Sequence, residues 1–414
     1  MKCFDDLVSD LNAPRLIPSY KQNERRLLSV FMSLIEISPA IRGLFFEKCG
    51  YGSGKTCRYK SLMEVQFRGS KYPEVRPDGL VVCTRGKTSW SAFIEAKSEK
   101  SAIRPEQIQD YLKLASICDI DAIITISNEF ARVPNELPYH IAQPKRKGRE
   151  VFHFAWADIR TFLELVRMNE SLSEVEMALL SQCLLYFWDD GSGVQTYDAM
   201  PANWPAFVEA ASTALGFGAN MKGLTEIVHG WQQERRDLNS KLSHISNRTV
   251  ELRHFAGIRA SEEDRLKADK KSLAESYTLS AEYLFKEERA SLKVLADLKS
   301  KLTTVALDIE PPAGKGAKAV VRWAAATVNG LEPTNLSVSF DWPGRGPGTT
   351  AFAHALTDDP DSLCEGQKDP PKAVRFIQSS ENGRAFKSRK KFIEELENTT
   401  IGMVQLAFNR GWLP

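Results

Sequence analysis

Histidine is scarce in this chain, and its spacing does not support a zinc site. The 414 residues include 6 histidines, none of which forms an i,i+4 pair or the H-E-x-x-H pattern. Those spacings place two imidazoles on one face of a helix, where they can share a metal ion. His153 lies in an apolar strand pattern, which favours a packed or hydrogen-bonded histidine over a catalytic one.

Cysteine pairs are also missing. The 7 cysteines are scattered, contain no C-x-x-C motif and are odd in number, which argues against a complete disulfide framework. Several lie in apolar runs, where a free thiol packs as a small core residue. This usage favours a reducing compartment, and we expect the protein to be cytoplasmic.

Long apolar runs are absent as well. No stretch is long enough to cross a bilayer as a helix. The first residues, 1–6, lack the charged start and extended apolar segment of a signal peptide. We therefore expect neither a membrane partner nor a secretion signal.

A strong charge of one sign is the last missing feature. The formal net charge is only +2, so the chain is not a broadly basic nucleic-acid coat. Contacts with phosphates would have to come from local patches. One candidate patch covers residues 145–149, between two apolar strand patterns. The other lies near the C-terminus and consists of Arg384, Lys387, Arg389, Lys390 and Lys391. Ordinary solvated surface is the alternative for both.

The segment from Gly50 to Thr56 looks like a phosphate-binding loop but does not fit the pattern. The P-loop requires a glycine five positions before Gly54, and Cys49 stands there. No helical pattern follows at once either. We interpret this segment as a loop and do not expect nucleotide hydrolysis at it.

Two acids and a lysine lie on neighbouring apolar segments. Residues 91–97 read as a strand, and Glu95 and Lys97 share one of its faces because side chains alternate. Asp78 directly precedes a second apolar run, 79–83. Antiparallel pairing of the two runs would set Asp78 beside Glu95.

This combination suits the hydrolysis of a phosphate ester. Burying a carboxylate and an ammonium on an interior strand is costly unless they pair or bind metal. Two carboxylates, waters and a substrate phosphate oxygen suit Mg²⁺, with Mn²⁺ as a second choice. A lysine beside them can orient the attacking water or hold the phosphate. A surface hairpin with a solvated Glu95–Lys97 pair remains the alternative.

The order Pro77-Asp78, then Glu95-Ala96-Lys97, resembles the PD-(D/E)xK nuclease superfamily. Gln107 and Tyr111 follow on one predicted helix face, similar to the Q-x-x-x-Y pattern of its RecB-like branch. The resemblance implies that Asp78, Glu95 and the backbone carbonyl of Ala96 bind the metal ion. It also implies that Lys97 assists the nucleophilic water.

Gln107 and Tyr111 would support the site on this resemblance. The alternative is that Tyr111 belongs to the core and Gln107 is exposed. The family often adds a supporting carboxylate. Glu24 on the first predicted helix is one candidate, with an ordinary charged helix residue as its alternative. Glu64, which alternates with apolar neighbours in a strand pattern, is the second candidate.

The segments around the motif follow the order of the restriction-endonuclease-like fold. An amphipathic helix begins near Lys21, and apolar strand patterns cover 62–67, 122–127 and 151–156. We therefore expect residues 1–190 to form an α/β domain with a mixed central sheet flanked by helices.

Two further regions are predicted. Residues 200–310 read as a long helical, coiled-coil-like tract, with an ordinary helical subdomain as the alternative. Its two seams are Leu238, Leu242, Ile245 and Leu252, then Leu295, Leu298, Leu302 and Val305. Residues 317–414 read as a small α+β domain with strands at 319–323 and 336–340 and a closing helix at 392–408.

Together these features predict a Mg²⁺-dependent DNA endonuclease. By analogy alone, such a protein would serve restriction or anti-phage defence. Cutting both strands generally needs two active sites, so we expect a homodimer, with room for a separate ATPase or sensor partner. A catalytically silent nucleic-acid-binding or partner-docking protein on the same fold, and an RNase, remain the alternatives.

Overall fold

A computed structural model describes most of the chain and divides it into two compact units, Met1–Thr196 and Tyr197–Pro414. The described residues are 13–18, 20–51, 57–72, 74–99, 101–129, 131, 134–135, 137, 141, 148–167, 172–213, 216–248, 250–253, 262–285, 289–331, 335–344 and 348–413.

The first unit is built on a five-stranded mixed sheet in the order β1-β2-β3-β4-β5. The strands are β1 (Arg58–Met63), β2 (Gly79–Arg85), β3 (Thr88–Ala96), β4 (Ala122–Ser127) and β5 (Glu150–Ala155). β1, β2 and β3 pair antiparallel, whereas β3, β4 and β5 pair parallel. β4 is buried along its whole length, as expected of a parallel strand with a neighbour on each side, and Thr125 and Ser127 are buried with its apolar residues.

Helices cover both faces of this sheet. They are α1 (Asn23–Ile37), α2 (Pro39–Lys48), α3 (Pro105–Cys118), α4 (Trp156–Arg167) and α5 (Glu174–Trp188). α1, α2, α4 and α5 share one apolar core with the sheet, and α3 packs on the opposite face. Phe93 lies on the α3 face, so its strand neighbour Glu95 points to that side too.

The predicted mixed α/β order of the first unit is confirmed, with shifted boundaries. The first strand ends at Met63 and not at Phe67, because Glu64 adopts a left-handed backbone with φ 50°. Trp156 begins a helix and does not end a strand.

The second unit contains a seven-stranded antiparallel sheet in the order β11-β10-β12-β9-β8-β7-β6. The strands are β6 (Val250–Leu252), β7 (Thr278–Phe285), β8 (Ala290–Asp297), β9 (Leu302–Ile309), β10 (Leu336–Asp341), β11 (Thr349–Phe352) and β12 (Ala373–Glu381). The helices are α6 (Trp204–Ala211), α7 (Leu224–Ser246), α8 (Glu262–Ser276), α9 (Ala317–Val328), α10 (Ala353–Asp358), α11 (Gly383–Lys387) and α12 (Arg389–Asn409). This one sheet draws strands from both predicted regions, 200–310 and 317–414.

The predicted coiled-coil tract is wrong in its second half. Leu295 lies on β8, and Leu302 and Val305 lie on β9. Buried residues alternate strictly along β9, which is the period of a strand, so Val305 is buried whereas Leu302 lies on the other face. The first seam does lie on helix α7 at Leu238 and Leu242, but both are buried in the core of the second unit.

The C-terminal region holds one further correction. Residues 319–323, predicted as a strand, belong to helix α9, whose buried positions recur at helical spacing. The predicted strand at 336–340 and the closing helix are confirmed as β10 and α12.

Over the described ranges, no single helix is long and apolar enough to cross a membrane. α1 and α2 pass that test only as a pair, and they are bent by 110° at their junction. Residues 52–56 of the loop resembling a phosphate-binding loop lie outside the described residues.

Candidate active site

Strand pairing brings Asp78 to the start of β2 and Glu95 to the end of β3. Gly79 is opposite Ile94 in the antiparallel register, so Asp78 and Glu95 continue the same pairing by one step. The position of Gly79 is tight, since a Cβ there would lie 2.9 Å from Sδ of Met32 and 3.3 Å from Cβ of Ile94. Oδ2 of Asp78 accepts a hydrogen bond of 2.9 Å from the backbone N–H of Ala96, which fixes the carboxylate at the strand end.

Glu95 is completely buried, and both of its oxygens are bonded. Oε1 accepts a hydrogen bond of 2.5 Å from Nζ of Lys97. Oε2 accepts one of 2.6 Å from the hydroxyl of Tyr111. These two bonds compensate a carboxylate that would otherwise be expensive to bury.

Lys97 is surrounded by oxygen atoms. Besides Glu95, its Nζ donates to the carbonyl of Ala96 at 2.9 Å and lies 3.9 Å from Oε1 of Glu24. Burial lowers the pKa of Lys97, but the nearby carboxylates of Glu95 and Asp78 outweigh it and raise the pKa above its ordinary value. Lys97 is therefore a charged ammonium at neutral pH.

Asp78 lies beside the buried carboxylate of Glu95, and its pKa is shifted. Burial raises its pKa well above the ordinary value, and the negative charge of Glu95 raises it further. The ammonium of Lys97 and the N–H of Ala96 act in the opposite direction. The negative charge of Glu24 also raises the pKa of Asp78, so both neighbouring carboxylates disfavour the charged form of Asp78.

Helix α3 supplies the predicted supporting pair. Nε2 of Gln107 donates to the hydroxyl of Tyr111 at 2.9 Å, and that hydroxyl lies 3.1 Å from the carbonyl oxygen of Arg76. Tyr111 is buried and Gln107 is half-buried. Tyr111 is thus a core residue that also contacts Glu95. A place in the core and a supporting contact at the site are therefore compatible for this residue. Within the described part of the chain, the buried Oε1 of Gln107 has no hydrogen-bond partner.

The two candidate supporting glutamates are placed differently. Glu24, near the start of α1, faces the ammonium of Lys97. Glu64 instead forms ion pairs with Arg25 at 2.5 Å and with Arg76 at 3.4 Å. The structure therefore brings Glu24 into the cluster and engages Glu64 with two arginines.

Trp156 is a contributor that sequence reasoning missed. Its fully buried indole N–H donates to the carbonyl oxygen of Lys97 at 2.7 Å. The backbone N–H of Lys97 donates to the carbonyl of Ile126 at 2.8 Å. These bonds hold the Lys97 backbone from two sides. No local motif signals Trp156, because its role depends on how α4 packs against the end of β3.

A cleft of about 450 Å³ opens beside Tyr111. It is lined by Glu74, Val75, Arg76, Arg104, Glu106, Gln107, Asp110 and Tyr111. Its mixed charge includes the guanidinium groups of Arg76 and Arg104, which are suitable for contacting a phosphate.

The donor set is compatible with a hard divalent cation. Across the described ranges, no group of three or more His, Cys, Asp and Glu side chains is arranged to hold a metal ion. Mg²⁺, however, commonly uses one or two carboxylates and takes its other ligands from water and substrate phosphates. Asp78 and Glu95 provide that number, and the antiparallel register of β2 and β3 places them side by side. The residues present therefore fit Mg²⁺ or Mn²⁺.

The basic patches have separate outcomes. Residues 145–147 of the first lie outside the described residues. In the second, Lys387 pairs with Glu209 and Lys390 pairs with Asp198.

His153, as expected, is a buried hydrogen-bonded residue, with Nδ1 2.9 Å from Oγ1 of Thr125.

Comparison of the chain with protein-family models, with curated proteins and with solved structures finds no match to any of them.

Proposed function

We propose that this protein is a Mg²⁺-dependent DNA endonuclease of the PD-(D/E)xK type, with a restriction-endonuclease-like first unit. The observation that carries the proposal is the convergence of Asp78, Glu95 and Lys97 at the ends of two paired strands. Tyr111 adds a direct bond to the same buried carboxylate. Glu95 and Lys97 are bonded directly, and Asp78 is joined to them through the backbone of Ala96.

The order of elements also supports this proposal. Three antiparallel-paired strands, a helix and two parallel strands follow one another as β1, β2, β3, α3, β4 and β5. Asp78 and Glu95 flank the central hairpin, and Gln107 and Tyr111 lie one turn apart on α3. A fold alone does not establish an activity, so the support for the proposed chemistry comes from the clustered side chains and not from the fold.

Each residue has a chemical role in the proposed reaction. Asp78 and Glu95, with the Ala96 carbonyl and Glu24 near them, would hold the metal ion. When bound, that ion neutralises charge on the phosphate and makes a bound water more acidic. Lys97 orients the attacking water or the phosphate through its ammonium. Tyr111 keeps Glu95 in one orientation. In-line attack would leave a 5′ phosphate, as in the family that the motif resembles.

Plasmid cleavage tests the proposal. Supercoiled DNA is incubated with the protein and Mg²⁺ or Mn²⁺, with EDTA as the metal-free arm. We expect nicked and linear products that disappear with EDTA and in the Asp78→Asn and Lys97→Met variants. Lys113→Met is the matched control, because Lys113 is exposed and pairs with Asp110 at 2.7 Å. Cleavage that persists in Asp78→Asn, or that EDTA does not reduce, contradicts the proposal.

The same preparation separates the alternatives. A single-stranded RNA offered in parallel identifies an RNase if it is degraded while DNA is not. A silent nuclease fold would shift DNA in a gel without cutting it. One observation favours the silent fold as the second candidate: the ammonium of Lys97 contacts Glu95 and the Ala96 carbonyl, which are two of the predicted metal ligands. A homodimer would yield linear product early, since two active sites can cut both strands.

A further inference from the structure

The ammonium of Lys97 touches two of the atoms that the proposed function assigns to the metal ion. Nζ lies 2.5 Å from Oε1 of Glu95 and 2.9 Å from the carbonyl oxygen of Ala96. Glu24 lies beyond, at 3.9 Å. The lysine is thus positioned among the carboxylates where a divalent cation would find its ligands.

We propose that Lys97 is the resident cation of the metal-free site and competes with the divalent metal for Glu95 and the Ala96 carbonyl. This inference rests on the proposed function. An ammonium and a metal ion cannot share these oxygens, because both cations would lie within a few ångströms of each other in a buried environment. Metal entry therefore requires the Lys97 side chain to rotate away.

Lys97 is the more exposed member of its ion pair. The side chain of Lys97 is 16% exposed, whereas that of Glu95 is 1% exposed, so Lys97 and not Glu95 can rotate toward solvent. Its backbone is held by Trp156 and Ile126, which confines the movement to the side chain. The four-carbon chain of lysine has the rotatable bonds needed for it.

A phosphodiester is the group that would draw the ammonium outward. Phosphate oxygens accept strong charge-assisted hydrogen bonds from lysine. A substrate that takes Lys97 would free Oε1 of Glu95 and the Ala96 carbonyl for the metal. Metal binding and nucleic-acid binding would then reinforce each other, as linked equilibria must. The protein without nucleic acid would bind metal weakly and be protected from unproductive loading.

Direct Mn²⁺ titration tests this competition without any cleavage reaction. Free Mn²⁺ is measured by electron paramagnetic resonance for wild type, Lys97→Met and the matched control Lys113→Met, all without nucleic acid. Removing the competing ammonium is expected to tighten Mn²⁺ binding by about ten-fold or more. Lys113→Met is expected to bind as wild type does. Equal or weaker binding by Lys97→Met overturns the inference.

A double variant localises the gained site. Lys97→Met combined with Asp78→Asn is expected to lose the added affinity. If the double variant binds Mn²⁺ as tightly as Lys97→Met, the ion is bound elsewhere and the inference fails. Lys97→Arg keeps a cation, so its Mn²⁺ binding is expected to remain as weak as that of wild type. Should Lys97→Met fold poorly, Lys97→Gln provides a second neutral side chain with the same expectation.

Thermal unfolding gives an independent readout. Lys97→Met leaves three neighbouring carboxylates without their ammonium, so its midpoint should fall without metal and recover with Mn²⁺ by more than wild type gains. An equal gain in both proteins contradicts the inference.

Wild type that cuts DNA while Lys97→Met shows no tighter binding defeats this inference alone. Tighter binding by Lys97→Met with no cleavage by wild type defeats the proposed function alone.

Discussion

Tyr111→Phe removes one hydroxyl from the centre of the site and leaves the shape of the ring unchanged. That hydroxyl donates to Oε2 of Glu95 at 2.6 Å and accepts from Gln107 at 2.9 Å. Because the carboxylate is fully buried, water is not expected to replace the lost donor. The substitution therefore isolates the contribution of a single bond.

The magnitude follows from the type of bond. A hydrogen bond to a charged group contributes about 1.5–3 kcal/mol, and a buried acceptor left without a donor costs a similar amount. We expect the free energy of unfolding to fall by about 1.5–3 kcal/mol. If Glu95 also loses its orientation in the transition state, the same energy corresponds to a drop in cleavage rate of about 10- to 150-fold.

Urea unfolding and the initial rate of plasmid cleavage measure the two effects. Tyr186→Phe is the matched control, because in the described part of the chain the buried hydroxyl of Tyr186 has no hydrogen-bond partner. It is expected to leave stability and rate nearly unchanged. Equal behaviour of Tyr111→Phe and Tyr186→Phe would refute the role assigned to the Tyr111–Glu95 bond.

Three other substitutions test separate parts of the account. Trp156→Phe loses the indole bond to Lys97 and should destabilise by about 1–3 kcal/mol in urea unfolding; no change would show that this bond is dispensable. Lys241→Met removes the ammonium that contacts Asp237 at 2.9 Å and Glu397 at 2.5 Å, and should cost about 3–5 kcal/mol. A loss of stability below about 1 kcal/mol, as is typical of a surface ion pair, would contradict this expectation. Glu234→Gln tests pH dependence: burial, then Glu397 and Asp237, raise the pKa of Glu234 well above its ordinary value. The folded protein thus holds a proton that the unfolded chain releases above about pH 4.3, so Glu234 lowers stability as the pH rises. Between about pH 4.3 and the raised pKa of Glu234, the free energy of unfolding of Glu234→Gln should increase relative to that of wild type by about 1.4 kcal/mol per pH unit. A constant difference between about pH 5 and pH 8 would contradict this sign.

The core of the candidate site was predictable because its information is local. Alternation along β3 places Glu95 and Lys97 on one face, and a short hairpin is enough to bring Asp78 beside them. The spacing of four between Gln107 and Tyr111 fixes their common helix face. Each of these relations spans few residues and needs no knowledge of the packing.

The choice between Glu24 and Glu64 depended on tertiary packing. α1 must dock at the end of β3 before Glu24 reaches Lys97, and nothing near Glu24 in the sequence specifies that contact. Glu64 was predicted to lie within a strand, but its left-handed backbone ends the strand there. Arg25 and Arg76 then bind its carboxylate.

The second unit shows why periodicity can mislead. Leu302 and Val305 match a heptad, yet the strand is recognised by Thr303, Val305, Leu307 and Ile309, which are all buried in alternation. In α9 the opposite error occurs. Val320 and Val321 suggest a strand, but the buried residues Ala317, Val320, Val321, Ala324, Ala325 and Val328 recur at helical spacing. Counting the whole segment, and not a few β-branched residues, identifies the helix.

The most direct test of the central claim is the position of a metal ion in a crystal of wild-type protein bound to a DNA duplex and Mn²⁺. Anomalous scattering locates Mn²⁺ without ambiguity. The account predicts an ion within about 2.0–2.6 Å of one carboxylate oxygen of Asp78 and one of Glu95, with Nζ of Lys97 turned toward a phosphate. An ion bound elsewhere, or a DNA complex in which Lys97 still bridges Glu95 and Ala96, would contradict it.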